Sequence, residues 1–250
     1  MSERLPLFPL GTVLFPGLVL PLHIFEDRYR ALVRHLTSQS PEPGDFGVVA
    51  IEKGFETTAA GGALNFYEIG CTASLRHVQE HPDGRFDLVT VGRRRFRITG
   101  VDTDSEPYLV AEIEWLPEPD DAHDAEDLVP GLLDLFQRYL EIIRTDGQHA
   151  REQLPEDPTV LSYVIAATAI LPVDERQLLL AADGTRDRLV AERRMLNREL
   201  TLVRQIRALP VPMSEYATEN SDNCHASFGR PTSLSASAMS SANLSRSLDS

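Results

Sequence analysis

The amino-acid sequence has very little lysine and cysteine, and both scarcities exclude classes of protein. Lys53 is the only lysine among 250 residues. A phosphate-binding P-loop needs a lysine in the pattern G-x-x-x-x-G-K-[ST], which the sequence around Lys53 does not match. The only cysteines, Cys71 and Cys224, are too few and too far apart for a disulfide framework or a thiolate zinc site. The sequence therefore argues against a P-loop ATPase and favours a reducing compartment.

Long hydrophobic runs and excess positive charge are also missing. No stretch of about 18 apolar residues is present, and the N-terminus lacks the basic region and the small-residue cleavage site of a signal peptide. The formal net charge is −14, which opposes binding to phosphate backbones and to anionic lipid. We therefore expect a cytoplasmic protein that binds neither nucleic acid nor membrane.

The opening of the chain is its most informative segment. Residues 5–22 are strongly apolar, but prolines at positions 9, 16 and 21 interrupt them. Since a proline inside a helix costs roughly 3 kcal/mol, this run is not one membrane helix. It predicts short extended segments in a core, followed by an amphipathic helix that begins near Phe25. The apolar face of that helix would consist of Phe25, Tyr29, Leu32, Val33 and Leu36.

The chain up to about residue 118 is dominated by strand patterns. Phe46 to Ile51 is rich in β-branched residues, and the segment from Arg95 to Thr99 alternates polar and apolar side chains. Between two further strand-like segments, Pro82-Asp83-Gly84 predicts a hairpin turn, because proline presets φ and glycine tolerates the left-handed region. Residues 1–118 are therefore predicted to form an antiparallel β domain with one early helix.

After an acidic, proline-bounded linker the pattern changes to helical periodicity. Asp157 followed by Pro158 predicts a helix start, Asp174 resembles the first residue of a capping box, and Thr185 is predicted to cap a long helix. An apolar stripe from Leu128 to Ile143 predicts one more helix, and the four helices together predict a helical subdomain over residues 119–209. Residues 210–250 are rich in serine, alanine and asparagine and are expected to be disordered. The predicted fold class is thus α+β.

Residues 77–81, His77-Val78-Gln79-Glu80-His81, match the H-x-x-E-H pattern of inverted zinc peptidases. That pattern binds zinc on a helix, where residues four apart share a face. Here it continues a strand, in which four residues span about 13 Å, too far for one metal ion. The pattern favours two exposed histidines beside a hairpin, and a metal-dependent hydrolase built on His77, Glu80 and His81 remains the alternative.

The basic cluster Arg93-Arg94-Arg95-Phe96-Arg97 raises the alternative of RNA binding. The acidic balance of the chain and the strand alternation favour a solvated face or a surface that pairs with acidic groups. No G-x-S-x-G elbow is present, and Cys71 lies in an apolar strand where a buried structural thiol is expected. The residues therefore indicate no catalytic group, no metal site and no cofactor.

The opening run holds more large apolar side chains than its short segments can bury. Most of them are expected in the β core, but Phe15, Leu18 and Phe25 are predicted to line a surface groove. Exposed apolar patches of this kind mark sites for unfolded chains or partner proteins. These three residues are the predicted peptide-binding site.

Three blocks of the sequence together resemble the N-terminal substrate-binding domain of the Lon protease family. The blocks are the opening LPLFPL…VLFPG…PLHIFEDRY, the segment IGCTA…DGR…VGRRRFRI, and the helical segment DP…DERQLL…RL, and the resemblance covers roughly residues 5–207. It implies a PUA-like antiparallel β pseudo-barrel followed by a C-terminal helical bundle. In the family this unit recognises unfolded or tagged protein substrates and helps assembly.

The resemblance stops short of the catalytic parts of Lon. Lon proteases continue into an ATPase module and into a protease module with a serine-lysine dyad, whereas this sequence has no P-loop and a lone lysine. We therefore expect a stand-alone, non-enzymatic module that binds unfolded or extended polypeptide or a partner protein, as an adaptor or a chaperone-like accessory. The sequence leaves the oligomeric state open.

Overall fold

The structure, a computed structural model, describes residues 3–38, 44–52, 65–143 and 154–207. These residues form an α+β fold, which confirms the predicted class. The strands are β1 (Glu3–Leu10), β2 (Val19–Ile24), β3 (Phe46–Ala50), β4 (Ile69–Glu80), β5 (Phe86–Asp102) and β6 (Val110–Trp115). The helices are α1 (Asp27–Ser38), α2 (Val129–Ile143), α3 (Pro158–Thr168), α4 (Val173–Ala181) and α5 (Thr185–Arg207), with a 3-10 helix at His123–Leu128.

The strands form one sheet in the order β2-β5-β4-β3-β1-β6, and β5 also pairs with β6. This second pairing closes β5, β4, β3, β1 and β6 into a ring, whereas β2 pairs only with β5. Strand β5 takes part in both pairings because it is 17 residues long. Residues 86–97 of β5 pair with β4, residues 86–91 also pair with β2 on the other side, and residues 96–102 pair with β6.

The prediction of a purely antiparallel sheet is wrong at one pair. Strands β1 and β3 are parallel, with Leu7 opposite Gly47, so the sheet is mixed. Parallel neighbours need a long crossover connection, which here includes β2 and α1. The predicted hairpin between β4 and β5 is confirmed: the Gly84 N–H donates to the His81 carbonyl at 2.9 Å, and the His81 N–H donates to the Arg85 carbonyl at 2.8 Å.

The sheet buries side chains on both of its surfaces. Strands of the closed ring contribute one apolar cluster, which consists of Leu5, Leu7, Val49, Phe96, Ala111 and Ile113. A second cluster joins the sheet to α1, α3 and α4. Four of the five residues predicted on the apolar face of the first helix, Tyr29, Leu32, Val33 and Leu36, are buried. The fifth, Phe25, precedes α1 and is 63% exposed, so its predicted place on the helix is wrong, whereas its exposure agrees with the predicted surface position.

The remaining helices share a third apolar cluster, to which α2, α3 and α5 contribute. The predicted start of α3 is confirmed, because Asp157 Oδ1 accepts the Val160 N–H at 2.8 Å. The predicted capping box of α4 is wrong: the N-cap is Pro172, and Asp174 lies inside the first turn. No helix of the described ranges is both long and apolar enough to cross a membrane. The predicted tail, residues 210–250, lies outside the described residues.

Helix α5 begins at Thr185, as the sequence predicts, but a different side chain contacts its first amide. The Thr185 N–H donates to Asp121 Oδ2 at 3.0 Å, while the Thr185 hydroxyl lies 2.9 Å from the hydroxyl of Thr159. Asp121 belongs to the acidic linker that precedes the 3-10 helix. The start of α5 is therefore tied to the linker and to α3 at once.

Candidate functional site

Two surface cavities lie at opposite ends of β2, and each contains one of the predicted site residues. The first, which we call the Leu18 cleft, has a volume of about 460 Å³. Its walls come from the β1–β2 connection, from β5, from the segment after β6 and from α3. The lining residues are Pro16, Gly17, Leu18, Arg93, Arg94, Arg95, Leu116, Pro117, Glu118, Thr159, Val160, Tyr163 and Val164.

The mouth of the Leu18 cleft is fixed by backbone contacts between the β1–β2 connection and β5. Gly17 has a φ of +78°, and its N–H donates to the Gly92 carbonyl at 2.9 Å. The Gly92 N–H donates in turn to the Leu18 carbonyl at 2.9 Å. A Cβ at Gly92 would lie 2.1 Å from the Phe15 carbonyl oxygen, so only glycine permits this approach. Leu18 is therefore held at the rim of the cleft by a tight backbone contact.

A β-bulge brings two consecutive arginines to the same rim. Cys71 pairs with Arg95 and the next paired residues are Ala73 and Gly92, so Thr72 alone stands opposite both Arg93 and Arg94. The Arg94 N–H donates to Thr72 Oγ1 at 3.0 Å. Both arginine side chains are exposed, which breaks the alternation expected of a regular strand.

Below the rim, the Glu118 carboxylate joins the sheet to the helices. Its Oε2 accepts from Arg95 Nε at 3.0 Å and from the Tyr163 hydroxyl at 2.6 Å, and its Oε1 lies 3.5 Å from an Arg188 amino group. The Arg188 side chain is fully buried, with its guanidinium 4.0 Å from the centre of the Tyr163 ring. We call Arg95, Glu118, Tyr163 and Arg188 the Glu118 cluster. It connects β5, α3 and α5 through one carboxylate.

Both arginines of the Glu118 cluster make further hydrogen bonds to the helical region. Arg95 donates to the Leu180 and Ala182 carbonyls at 2.9 and 2.6 Å, and Arg188 donates to the Ser162 hydroxyl at 2.9 Å. Burial raises the pKa of the Tyr163 hydroxyl, so this group stays protonated and donates to Glu118. The cluster thus forms a satisfied polar floor under the cleft.

The second cavity, which we call the Phe25 cavity, lies at the other end of β2 and has a volume of about 450 Å³. Phe25 and Leu22 line it, together with the polar side chains of His23, Glu26 and Arg28. Beside it the exposed Asp87 bridges two imidazoles. Its Oδ1 lies 2.6 Å from His23 Nδ1 and its Oδ2 lies 2.7 Å from His81 Nε2. These hydrogen bonds hold the pKa of the Asp87 carboxyl below its ordinary value of 3.8.

A third cavity, of about 680 Å³, has an acidic lining. Glu52, Glu68 and Asp174 line it beside the exposed side chain of Leu178. Its wall at Glu52 and Asn65 leads into residues 53–64, which lie outside the described residues.

The structure separates the three predicted peptide-binding residues. Phe15 is only 1% exposed, so its predicted position on a surface groove is wrong. Its ring packs against Tyr163 of α3, with 6.2 Å between ring centres, because α3 covers the β1–β2 connection. Leu18 is half-buried and lines the Leu18 cleft, whereas Phe25 lines the Phe25 cavity. A role for Leu18 and Phe25 in binding stays a prediction.

The H-x-x-E-H residues lie along a strand end and its turn. His77 stands opposite Val89, and Glu80 lies 3.8 Å from Arg34, whereas His81 contacts Asp87. Within the described ranges, no group of three His, Cys, Asp or Glu side chains is arranged to hold a metal ion. The stretch therefore has the geometry of two separate side-chain contacts beside a hairpin.

The basic cluster of β5 divides between core and surface. Arg95 is buried in the Glu118 cluster, and Arg97 is exposed with Glu68 at 4.0 Å. The cluster thus pairs with acidic groups, as expected, but one of the two pairs lies in the interior. Strand alternation did not predict that interior pair. Cys71 is fully buried, and burial raises the pKa of its thiol to about 12, as expected for a structural thiol.

Sequence reasoning missed the Glu118 cluster entirely. Its members are far apart in the chain: Glu118 and Arg188 are separated by 70 residues. One feature of the sequence is consistent with a buried arginine: Arg95 directly precedes the core residue Phe96, so the two cannot belong to one polar and one solvent-free face if both are buried. The sequence alone does not show that both surfaces of β5 are covered, so it does not predict the burial of Arg95.

The sequence of the chain is similar to those of known proteins of one family. The chain is similar to Lon protease 2 of Syntrophobacter fumaroxidans, with 29% identity over 189 residues that cover 74% of this chain and 23% of that protein. It is also similar to the Lon protease of Escherichia coli K12, with 26% identity over 208 residues that cover 81% of this chain and 26% of that protein. The chain thus spans about a quarter of the length of these relatives.

Solved structures show the same similarity. A Lon N-terminal domain protein from Xanthomonas campestris matches with a TM-score of 0.56 and 27% identity, over 75% of this chain and 95% of that one. The N-terminal domain of the Mycobacterium avium complex Lon protease matches with a TM-score of 0.60 over 78% of this chain and 98% of that one. Its identity of 17% supports the fold alone.

The family model that matches is described as the ATP-dependent protease La (LON) substrate-binding domain. The match covers residues 4–198, which include every strand apart from the first residue of β1, and every helix apart from the end of α5. This confirms the resemblance stated from the sequence. The matched region corresponds to the substrate-binding domain and not to the ATPase or protease modules. The chain therefore belongs to the family of the Lon substrate-binding domain.

Proposed function

We propose that the chain is a non-enzymatic module that holds extended, apolar polypeptide segments in the Leu18 cleft. The observation that carries this proposal is an open apolar cavity on a rigid floor. Leu18 of the β1–β2 connection and Val160 of α3, which is 49% exposed, both line that cavity. A cavity of about 460 Å³ lies within the range of ordinary ligand sites, roughly 300 to 1,000 Å³.

The walls of the cleft are suited to binding because they are fixed before a ligand arrives. The Gly17–Gly92 contact holds one wall, and the Glu118 cluster ties β5 to α3 and α5 beneath it. A preorganised site loses less conformational entropy on binding than a site that must be ordered by its ligand. The apolar walls then provide affinity for side chains that are exposed only in unfolded or extended polypeptide.

The same proposal assigns a finer architecture to the fold. We infer that the closed ring of β5, β4, β3, β1 and β6 corresponds to a PUA-like pseudo-barrel within residues 1–118, and that α2 to α5 form the C-terminal helical bundle within residues 119–209. Ring closure and the shared apolar cluster of α2, α3 and α5 support this division. The Leu18 cleft lies where strand β5 and helix α3 meet.

In the cell, a module of this kind would act as an adaptor or a chaperone-like accessory. The relatives are named Lon proteases, and the chain corresponds to the substrate-binding domain of that family. The partner we propose is an unfolded or extended segment of another protein. The proposal needs no nucleotide and no cofactor.

A peptide array tests the site directly. We expect the wild-type protein to bind a subset of apolar peptides, and Leu18→Asp to weaken binding at least about tenfold, since a charge in the apolar cleft opposes burial of the ligand. Val19→Asp is the matched control: Val19 is the next residue, is 62% exposed and does not line the cleft. Val160→Asp introduces the same charge from α3.

The variants are first compared by circular dichroism and thermal unfolding, so that only folded proteins enter the array. Equal binding by wild type, Leu18→Asp and Val160→Asp would remove the Leu18 cleft as the site. Loss of binding in Val19→Asp as well would also contradict the proposal, because the effect would then not depend on the cleft.

A further inference from the structure

We propose that Arg93 and Arg94 make the Leu18 cleft selective for acidic-apolar segments, in which an Asp or Glu side chain lies beside a large apolar residue. The inference rests on the proposed function, because it names the polypeptide class that the same cleft accepts. It is carried by four observations: the bulge that aims both arginines, their charges, the state of Glu118, and the hydrogen bonds that already engage the backbone N–H groups of Gly17, Leu18, Gly92 and Arg94.

The bulge is the first observation. In a regular strand, Arg93 and Arg94 would point to opposite surfaces of the sheet. Here both stand opposite Thr72, both are exposed, and both line the cleft. Bulges recur beside functional sites because they redirect a side chain, and this one places two positive charges at one rim.

The charges at the rim are available for a ligand. On β5, Arg95 and Arg97 form ion pairs with described carboxylates, whereas Arg93 and Arg94 form none within the described ranges. The Arg94 guanidinium lies 4.0 Å from the centre of the Trp115 ring. Stacking of this kind occupies the face of a guanidinium and leaves its N–H edge free to bind a carboxylate.

Glu118 is the one carboxylate among the described lining residues, and its charge is already compensated. Its oxygens accept hydrogen bonds from Arg95 and Tyr163, and Arg188 lies 3.5 Å away. It therefore does not neutralise Arg93 or Arg94. The rim keeps a net positive charge in a protein whose formal net charge is −14.

The backbone donors at the mouth indicate which carboxylate fits. A free C-terminal carboxylate is usually captured by a group of backbone N–H donors. At this mouth the N–H groups of Gly17, Leu18 and Gly92 donate to carbonyl oxygens, and the Arg94 N–H donates to Thr72. These four N–H groups are therefore not available to a ligand, and the side-chain donors of Arg93 and Arg94 are, so we commit to an internal segment whose Asp or Glu side chain meets the two arginines.

Fluorescence anisotropy with four labelled peptides tests this selectivity. The first peptide carries one phenylalanine flanked by glutamates and has both ends blocked; the second has glutamines in place of the glutamates. The third and fourth have a glutamine-flanked phenylalanine near the C-terminus, with a free carboxylate or an amide at the end. The proteins are the wild type, the double variant Arg93→Gln/Arg94→Gln, and the control Arg76→Gln/Arg97→Gln.

The control changes the net charge by the same amount. Arg76 and Arg97 are exposed on β4 and β5 and do not line the cleft. We expect the wild type and the control to bind the glutamate peptide about fivefold more tightly than the glutamine peptide at low salt, the effect of two exposed charge pairs. In Arg93→Gln/Arg94→Gln this ratio should fall to about one while the glutamine peptide still binds.

Each outcome separates the inference from the proposed function. If the wild type binds neither blocked peptide, the proposed function fails. If it binds both equally, or if the control variant loses the preference too, only the selectivity proposal is overturned. A preference for the free C-terminal carboxylate over the amide, without a preference for internal glutamate, would overturn the choice of an internal segment.

Discussion

A carboxylate lies between two basic side chains near each end of β2. The two arrangements differ in how deeply their side chains are buried. At one end Glu118, whose side chain is 37% exposed, lies between Arg95 and Arg188, whose side chains are 2% and 0% exposed. At the other end Asp87, whose side chain is 48% exposed, lies between His23 and His81, whose side chains are 48% and 30% exposed. The difference in burial thus lies mainly in the partners of the two carboxylates. The first joins three elements of the fold beneath the Leu18 cleft, and the second lies on the surface beside the Phe25 cavity.

The comparison shows which of the two polar contacts contributes to the stability of the fold. Solvent screens the exposed Asp87 contacts, so they hold side chains in place and contribute little to the fold. In the Glu118 cluster, loss of the carboxylate would leave two buried guanidinium groups without their counter-ion. We therefore regard the Leu18 cleft as a rigid site and the Phe25 cavity as a site whose walls depend on local contacts.

The largest predicted effect is on stability. Glu118→Ala should lower the free energy of unfolding by about 2 kcal/mol, because the buried guanidinium groups of Arg95 and Arg188 lose a carboxylate that is itself partly exposed. Urea unfolding followed by circular dichroism measures this change. Asp87→Ala is the matched control and should cause a much smaller loss. Similar losses in the two variants would contradict the contrast between the two ends of β2.

An intermediate effect concerns pH and Glu192, one helical turn after Arg188. Its side chain is buried, neither carboxyl oxygen has a hydrogen-bond partner among the described residues, and burial raises its pKa well above the ordinary value of 4.5. The folded state therefore binds a proton that the unfolded state has released, and this group makes stability fall as the pH rises from about 4.5 toward the folded pKa.

Glu192→Gln removes this titration. The free energy of unfolding of the variant minus that of the wild type should be larger at pH 8 than at pH 5. Urea unfolding at both pH values measures this difference. Asp87→Asn should show a pH dependence of the opposite sign. The lowered pKa of Asp87 stabilises the folded protein above about pH 3.8, and this stabilisation is lost as the pH falls below that value. A difference between Glu192→Gln and wild type that does not change with pH would show that Glu192 titrates normally.

The smallest predicted effect is at the Phe25 cavity. Phe25→Asp should change the affinity for apolar peptides less than about twofold, well under the tenfold step that corresponds to 1.4 kcal/mol. Phe25 lies outside the Leu18 cleft, and its side chain is already exposed to solvent. Anisotropy titration with the blocked phenylalanine peptides checks this. An effect as large as that of Leu18→Asp would make the Phe25 cavity a second part of the site.

Local signals in the sequence predicted local structure well. The hairpin at Pro82-Asp83-Gly84 and the start of α3 at Asp157 follow from short-range hydrogen bonds and backbone preferences, and both are present in the structure. The apolar face of α1 followed from helical periodicity alone. Each of these predictions depends on residues only a few positions apart.

Long-range packing accounts for the failures. Phe15 was expected at the surface, but Tyr163, which lies 148 positions later in the chain, covers it. Arg95 was expected on a solvated face, but helical carbonyl groups and Glu118 enclose it. Neither contact can be predicted from the polar–apolar periodicity of the segment that contains the residue. The site combines a loop, a bulge and a helix. Of the three residues predicted to bind peptide, only Leu18 lines the Leu18 cleft, and the Glu118 cluster beneath it was not predicted.

The most direct test of the central claim is to map where a bound peptide touches the protein. A blocked peptide whose apolar residue is a photo-reactive phenylalanine analogue is cross-linked to the wild-type protein, and the modified residues are identified by mass spectrometry. We predict cross-links to Leu18, Leu116, Val160 or Val164, which line the Leu18 cleft. Cross-links confined to Leu22, Phe25 and Tyr29, in the Phe25 cavity, would contradict the account.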